Sequence, residues 1–188
     1  MFSTSLNGIL LPVCIYNASG TRCTTTEELL ALYNNPWTGA VLTKSCTLES
    51  RLGNPEPRYA DNANGSINSN GLCNQGYKAY CCNQTFNKTK PYIISVAGPT
   101  LTETLEIMHH IEDTHQNTIV ELNRTCPNID NKSDETLYEY LRQVTEIYTG
   151  YVGLKLEPIW YPEQIRDVSH VINEFKIGAY FLLLPTKN

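Results

Sequence analysis

The feature of the sequence that most limits its fold is a recurring unit, in which a short apolar run leads through a turn into an amphipathic helix. The apolar runs cover residues 11–16, 40–43, 92–96, 118–122, 151–156 and 179–184. Strands that alternate with helices predict a parallel sheet with right-handed crossovers and helices packed on it. A chain of 188 residues has the length of one domain, so we expect residues 1–188 to form a single α/β domain.

The predicted helices begin at recognisable start signals. A hydroxyl three residues before a glutamate can form a capping box, and the candidate pairs are Thr24 with Glu27, Thr25 with Glu28, and Thr100 with Glu103. Ser133 is the predicted N-cap of the helix that ends before Gly150. Pro162 is suited to the first position of the next helix, because its missing N–H has no partner there in any case.

Polar residues gather where the predicted strands end. They are Asn17, Ser19, Lys44, Ser45, Asn123, Cys126 and Lys155. In barrels and open α/β sheets the carboxyl ends of the strands form the edge where ligands bind. The pattern therefore predicts a binding site at this edge. Residues 46–86 are dense in Gly, Asn and Pro and indicate a long loop, which in a compact domain is usually functional.

Charge and hydropathy argue against several classes of partner. The net charge of −5 disfavours nucleic acid, which requires a clustered basic face. The chain has no apolar run of the roughly 18 residues that cross a bilayer, so we expect no membrane segment. His109, His110 and His115 do not share the i, i+4 spacing of helical zinc ligands, and we expect no metal site.

The cysteines and the glycosylation motifs leave two compartments open. The seven cysteines include no CxxC pair, which removes the usual zinc and redox motifs. Six N-x-S/T sequons fit a secreted, disulfide-bonded protein; they start at Asn17, Asn64, Asn83, Asn87, Asn123 and Asn131. The N-terminus lacks the basic and apolar regions of a signal peptide, so we favour a cytoplasmic protein with free thiols.

Three stretches of sequence are more specific than these patterns. Residues 38–59 contain TGAVLTKSCTLE followed by GNPEPRY, residues 65–72 read GSINSNGL, and residues 121–128 read ELNRTCPN. In order and spacing they resemble the soluble, fumarate-dependent class of the dihydroorotate dehydrogenase family, and the likeness runs over residues 12–175. The resemblance implies a (β/α)8 TIM barrel that holds FMN at the carboxyl ends of its strands.

The length of the chain bears on what the resemblance implies. A complete barrel needs upward of about 200 residues, so we expect an incomplete barrel of about six strands that is truncated at its C-terminus. The Gly-rich loops that bind the FMN phosphate in this family follow strands seven and eight. Because such loops supply much of the affinity for a phosphate, we expect weak FMN binding, or none, by this chain alone.

The resemblance implies oxidation of dihydroorotate to orotate in de novo pyrimidine (UMP) biosynthesis. Fumarate is the implied electron acceptor, and the family precedent is a homodimer. The family's base is a cysteine after strand four, and Cys126 occupies that position; a thiolate can take a proton when its neighbours lower its pKa. The alternative is a catalytically impaired homologue that acts as a non-enzymatic binding or interaction protein.

The remaining site residues are also implied by the family motifs. The implied FMN contacts are Ala18, Ser19, Gly20, Lys44, Ser45, Asn123 and Lys155. The implied substrate contacts are Lys44, Asn68, Ser69, Asn70, Gly71, Leu72, Asn123 and Asn128. For the side chains of Asn70 and Asn74, turn formation is the preferred interpretation, because asparagine is favoured in turns. The stretch Glu56-Pro57-Arg58 is a candidate for a cis peptide bond that shapes the site.

Overall fold

The computed structural model describes residues 2–6, 8–81, 89–114, 118–124, 136–156, 162–175 and 178–181. In this part of the chain the strands are β1 (Thr4–Leu6), β2 (Ile9–Leu11), β3 (Val41–Leu42), β4 (Tyr59–Asn62), β5 (Gly65–Asn68), β6 (Tyr92–Val96), β7 (Ile119–Asn123), β8 (Tyr151–Leu156) and β9 (Gly178–Phe181). The helices are α1 (Thr26–Asn34), α2 (Tyr77–Cys81), α3 (Leu101–Thr114), α4 (Leu137–Ile147) and α5 (Pro162–Phe175).

A parallel sheet organises the described part of the molecule. Its strand order is β3-β6-β7-β8-β9, and every neighbouring pair is parallel. Helices α3, α4 and α5 connect successive strands of this sheet and pack against its outer face. The alternation of apolar runs and amphipathic helices therefore predicted the class of fold, since strands and helices follow each other as the sequence indicated.

The two faces of the sheet carry different side chains. On β6, Tyr92, Ile94 and Val96 belong to the large core beneath the helices. Ile93 points to the opposite face and packs with a second apolar cluster, which consists of Leu11, Ala40, Leu42, Ile93 and Ile119. A parallel sheet with helices outside and its own side-chain layer inside is the arrangement of a β/α barrel, and the described strands form part of one.

The first apolar run differs from its prediction. A strand was expected over residues 11–16, but β2 ends at Leu11 and pairs with β1 as an antiparallel hairpin. Pro12 lacks the N–H that a ladder needs. Beyond it, the side chain of Asn17 replaces the ladder, because its Nδ2 donates to the Leu42 carbonyl at 2.7 Å and its Oδ1 accepts from the Leu42 N–H at 3.0 Å.

The helix starts agree with the sequence at three of four positions. Thr25 and Glu28 form the predicted capping box of α1. Thr100 Oγ1 accepts from the Glu103 N–H at 3.2 Å, and Pro162 is the first residue of α5. For α4 the N-cap is Thr136 instead of Ser133, which lies outside the described residues.

The segment predicted as a long loop contains regular structure. Strands β4 and β5 form an exposed hairpin, and α2 packs against α3 and β6. Asn74 is buried, and its Oδ1 accepts from the Gly76 N–H at 2.8 Å, which confirms its predicted turn role. The Glu56–Pro57 bond is cis. The last apolar run begins with β9, and residues 182–184 lie outside the described part.

A polar site at the carboxyl ends of the strands

Ser45 is the centre of a buried hydrogen-bond network just beyond the end of β3. Its Oγ lies 2.9 Å from Ser19 Oγ and 2.8 Å from Ser95 Oγ, and it accepts from Asn123 Nδ2 at 2.9 Å. The Ser45 N–H donates to Ser19 Oγ at 2.7 Å. Four segments that are distant in sequence thus meet at one hydroxyl, and three of the predicted FMN contacts are joined there directly.

Asn123 and Lys155 are neighbours across the sheet. They are paired residues in the parallel register of β7 and β8. Both side chains are buried, with 8% and 6% of their surface exposed. An amide and an ammonium group therefore lie side by side at the carboxyl ends of the strands, above the apolar cluster inside the sheet.

Glu121 lies one inward-facing position before Asn123 on β7. It is 2% exposed, and its Oε1 accepts a hydrogen bond from Ser95 Oγ at 2.7 Å. Burial raises the pKa of the Glu121 carboxyl, while the hydrogen bond from Ser95 and the charge of Lys155 act in the opposite direction. The Glu121 carboxyl group on the inner face of the sheet thus accepts a hydrogen bond from the first hydroxyl of the network, that of Ser95.

The thiol of Cys23 holds the loop that carries Ala18, Ser19 and Gly20. Its Sγ accepts from the Gly20 N–H at 3.3 Å and donates towards the Gly20 carbonyl at 3.5 Å. The Lys44 N–H donates to the Cys23 carbonyl at 2.9 Å, which ties this loop to the residues after β3. Burial raises the pKa of the Cys23 thiol, so this cysteine acts as a structural neutral group.

Lys44 and Asn70 line a separate cavity of about 370 Å³. The other residues around it are Thr21, Arg22, Thr24, Thr25, Glu28, Arg58, Tyr59 and Cys73. Arg58 is held by an ion pair with Glu56 at 2.8 Å. Lys44, predicted to contact both substrate and FMN, therefore faces the cavity, whereas the next residue, Ser45, faces the buried network.

The predicted substrate loop follows the β4–β5 hairpin. Asn68 is exposed and paired with Tyr59 in the hairpin, and the Ser69 N–H donates to the Arg58 carbonyl at 2.9 Å. Gly71 and Leu72 are buried, with φ angles of 65° and 59°. None of the described hydrogen bonds joins this loop to Ser45 or Asn123, whereas Asn70 reaches the cavity beside Lys44.

Two predicted site residues, Cys126 and Asn128, lie outside the described residues. In the described part of the chain, no three His, Cys, Asp or Glu side chains come together as metal ligands. Cys14, Cys23, Cys46 and Cys73 are free cysteines. No helix within the described ranges has both the length and the apolarity needed to cross a membrane.

Sequence reasoning missed Ser95 and Glu121 as members of the site. Both lie inside strands whose other residues are mostly apolar, YIISV in β6 and IVELN in β7. The sequence feature that could have identified them is a polar residue within a fully buried strand, where an ionisable group is rare unless it has a partner. The parallel register places Ser95 directly opposite Glu121.

The fold and this network define a β/α-barrel protein with a buried polar network at the carboxyl ends of its strands. A family model described as dihydroorotate dehydrogenase matches residues 1–181. This match covers nearly the whole chain, and the chain belongs to the dihydroorotate dehydrogenase family.

Curated relatives agree with this family. A Streptococcus equi protein named dihydroorotate dehydrogenase A (fumarate) is 37% identical over 174 residues, which are 88% of this chain and 56% of the relative. A Streptococcus agalactiae protein of the same name is 34% identical over 185 residues, covering 93% of this chain and 59% of the relative. The chain thus spans a little more than half the length of the curated relatives it matches.

A solved structure shows the same fold. The crystal structure of DHODH in complex with ferulenol from Eimeria tenella superimposes with a TM-score of 0.79 at 14% sequence identity. The alignment covers 98% of this chain and 59% of that protein. The expected partial barrel is therefore confirmed at the level of the fold.

Proposed function

We propose that this chain carries the FMN-proximal part of a dihydroorotate dehydrogenase, which oxidises dihydroorotate to orotate in pyrimidine biosynthesis with fumarate as electron acceptor. The observation that carries the proposal is the buried cluster of Ser45, Asn123 and Lys155 at the carboxyl ends of three strands. These are positions at which the family motifs imply FMN. We further propose that residues 1–188 form one partial-barrel domain of a cytoplasmic homodimer.

The groups in the cluster fit the polar edge of an isoalloxazine ring. Such an edge presents alternating carbonyl oxygens and ring nitrogens, which amide, hydroxyl and ammonium groups can recognise. A buried lysine suits a ring that gains negative charge on reduction. In the loop that carries Ser19, a Cβ at Gly20 would meet only the Ala18 carbonyl oxygen, at 3.7 Å, so the loop leaves space for a flat ring.

In this proposal, Ser19, Ser45, Asn123 and Lys155 hold FMN, which when bound supplies the acceptor for the hydride. Lys155 stabilises negative charge from a site that excludes water, where its charge has a larger effect than at the surface. Ser45 and Asn123 orient the polar edge through a network fixed on three sides. Lys44 lies in the separate cavity with Asn70, and there it can bind the carboxylate of dihydroorotate.

We propose Cys126 as the base that removes a proton from one ring carbon of dihydroorotate as the neighbouring carbon loses a hydride. The proton goes to the thiolate and the hydride, with its electron pair, goes to the acceptor, so the products are orotate, a thiol and a reduced cofactor. Asn68 and Asn128 are proposed to hydrogen-bond the planar substrate. The arguments for Cys126 and Asn128 come from the family motif alone, with the sequence Asn123-Arg124-Thr125-Cys126-Pro127-Asn128.

The test is an FMN titration of the wild-type chain and of Cys126→Ser, followed by visible absorbance and by two-dimensional NMR, which detects weak binding. We expect both proteins to bind FMN weakly and with equal affinity, with shifts at Ser45 and Asn123. We expect dihydroorotate-dependent bleaching of the flavin to be lost in Cys126→Ser. Equal bleaching by the two proteins would refute the assigned base, and absence of any FMN-induced shift would favour the non-enzymatic alternative.

A further inference from the structure

Glu121 has no role in the proposed function. It is a carboxyl group in the interior of the sheet, and Ser95 is the donor to its Oε1. Its Oε2 is also buried and has no hydrogen-bond partner among the described residues. Leaving a charged oxygen unsatisfied in this way costs stability. Since apolar residues would fill this position without that cost, the carboxyl group requires an explanation.

Counting protons assigns a direction to every hydrogen bond above Glu121. An ionised carboxylate has no proton, so Ser95 must donate its hydroxyl proton to Glu121. Ser95 then has no second proton, and the bond between Ser95 and Ser45 must use the proton of Ser45. Ser45 in turn has none left, so it accepts from both Asn123 Nδ2 and the hydroxyl of Ser19.

We propose that Glu121 is a positioning residue, which acts through Ser95 and Ser45 to fix which hydrogen-bonding group Ser19 presents to the ligand. When every hydroxyl proton points towards Glu121, the Ser19 hydroxyl donates its proton to Ser45 Oγ. Ser19 Oγ also accepts a hydrogen bond from the Ser45 N–H. One lone pair of Ser19 is left, within the described contacts, for an N–H of the ligand. Asn123 is oriented with its nitrogen towards Ser45, which turns its carbonyl oxygen away from Ser45.

The opposite direction of the chain has a different consequence. If residue 121 donates to Ser95, the proton of Ser95 passes to Ser45 and that of Ser45 to Ser19. Ser19 then has to direct its proton outward, and it offers the ligand a donor instead of an acceptor. A single ionised carboxylate thus determines the hydrogen-bonding character of a group two hydroxyls away.

The charged and titratable groups around Glu121 come from three other segments. Lys155 on β8 is its cationic neighbour and favours the ionised carboxylate. The phenol of Tyr16 and the thiol of Cys23 lie within its field, and burial together with the charge of Glu121 raises the pKa of both groups. Tyr16 and Cys23 therefore stay neutral, and the pair of Glu121 and Lys155 sets the local charge.

The test uses the ligand-free chain, so that its result does not depend on FMN. The readout is the NMR signal of the Asn123 side-chain amide, measured in Glu121→Gln, in Ser95→Ala and in the double variant. We expect Glu121→Gln to shift this signal when Ser95 is present and to leave it unchanged when residue 95 is alanine. Glu112→Gln is the control, because Glu112 contacts Thr149 and belongs to no part of the network.

Two outcomes would overturn the proposal. One is a shift from Glu121→Gln that persists in the Ser95→Ala background, since the carboxylate would then act through space. The other is no shift in either background. The spectra themselves show whether each variant is folded. Ser95→Thr keeps the hydroxyl and serves as a second background, in which we expect Glu121→Gln to shift the Asn123 signal again.

A second experiment measures the affinity of the same variants for FMN, and it rests on the proposed function. We expect Glu121→Gln and Ser95→Ala each to raise the Kd for FMN about tenfold, the effect of one hydrogen bond. The double variant should be no weaker than Ser95→Ala, because both substitutions interrupt one chain. Additive losses would contradict the positioning role. If wild type binds no FMN, the proposed function fails, while the result for the ligand-free chain stands.

Discussion

Asn123 Nδ2 donates a hydrogen bond of 2.9 Å to Ser45 Oγ, although the two residues are 78 positions apart in the chain. Each lies at the carboxyl end of a strand, and β6 lies between those strands in the sheet. The contact therefore exists only after three parallel strands have paired. This bond reports on both the assembly of the sheet and the integrity of the site.

Asn123→Ala is expected to lower the free energy of unfolding by about 1–3 kcal/mol, because Ser45 and neighbouring buried groups lose a partner. Urea denaturation measures this loss. Asn64→Ala is the matched control, since Asn64 lies at the exposed turn between β4 and β5, and its change should stay within about 0.5 kcal/mol. An equal effect of the two substitutions would show that the Asn123 contact contributes nothing to stability.

Gly39→Ala is expected to be strongly destabilising. A Cβ at Gly39 would lie 1.7 Å from the Val13 carbonyl oxygen, so the segment before Asn17 would have to move away from β3. We expect a loss of roughly 3 kcal/mol or more, comparable to the larger effects of overpacking. Gly20→Ala is the control, because its nearest contact would be at 3.7 Å. Thermal unfolding that is alike in both variants would rule out the close approach of Val13.

Thr25→Ala removes the N-cap of α1 and half of its capping box. The expected cost is about 1 kcal/mol, which corresponds to a Tm lower by about 2–4 °C for a domain of this size. Thr26→Ala is the comparison, since Thr26 is the exposed first residue of the helix and not its cap. A Tm that falls as much for Thr26→Ala would contradict the assignment of the cap.

Glu121→Gln is expected to change how stability depends on pH. Because burial raises the pKa of the native carboxyl above its unfolded value, the native state binds more protons between the two pKa values, and stability falls as pH rises through this window. Wild type should therefore lose stability relative to Glu121→Gln from mildly acidic pH upward. A difference between the two proteins that is constant with pH, measured by denaturant unfolding, would contradict a raised pKa.

Local patterns in the sequence predicted much of the framework. The run at residues 151–156 coincides with β8, the run at 92–96 with β6, and the box of Thr25 with Glu28 caps α1. These features depend on residues within one turn of helix or one strand, so local propensity and periodicity are enough to find them. The first strand was placed wrongly because Ile15 and Asn17 bond to Gly39 and Leu42, distant partners that no local pattern reveals.

The site was predicted in part, and for a similar reason. Ser19, Ser45, Asn123 and Lys155 were identified from the ends of the strands and from the family motifs, and the structure joins the first three by hydrogen bonds. Ser95 and Glu121 were not identified. Each is an isolated polar residue in an apolar strand, and its meaning depends on the residue opposite in the neighbouring strand.

By itself, the sequence determined the alternation of strands and helices outside residues 11–16 and 46–86, three of the four predicted helix starts and the family to which the chain belongs, because these follow from neighbouring residues and from short motifs. The tertiary structure alone decided that Ser45 meets Asn123, that Ser95 meets Glu121, and that the side chain of Asn17 replaces a strand ladder. These contacts join segments far apart in the chain, and parallel pairing, which requires long crossovers, sets their register.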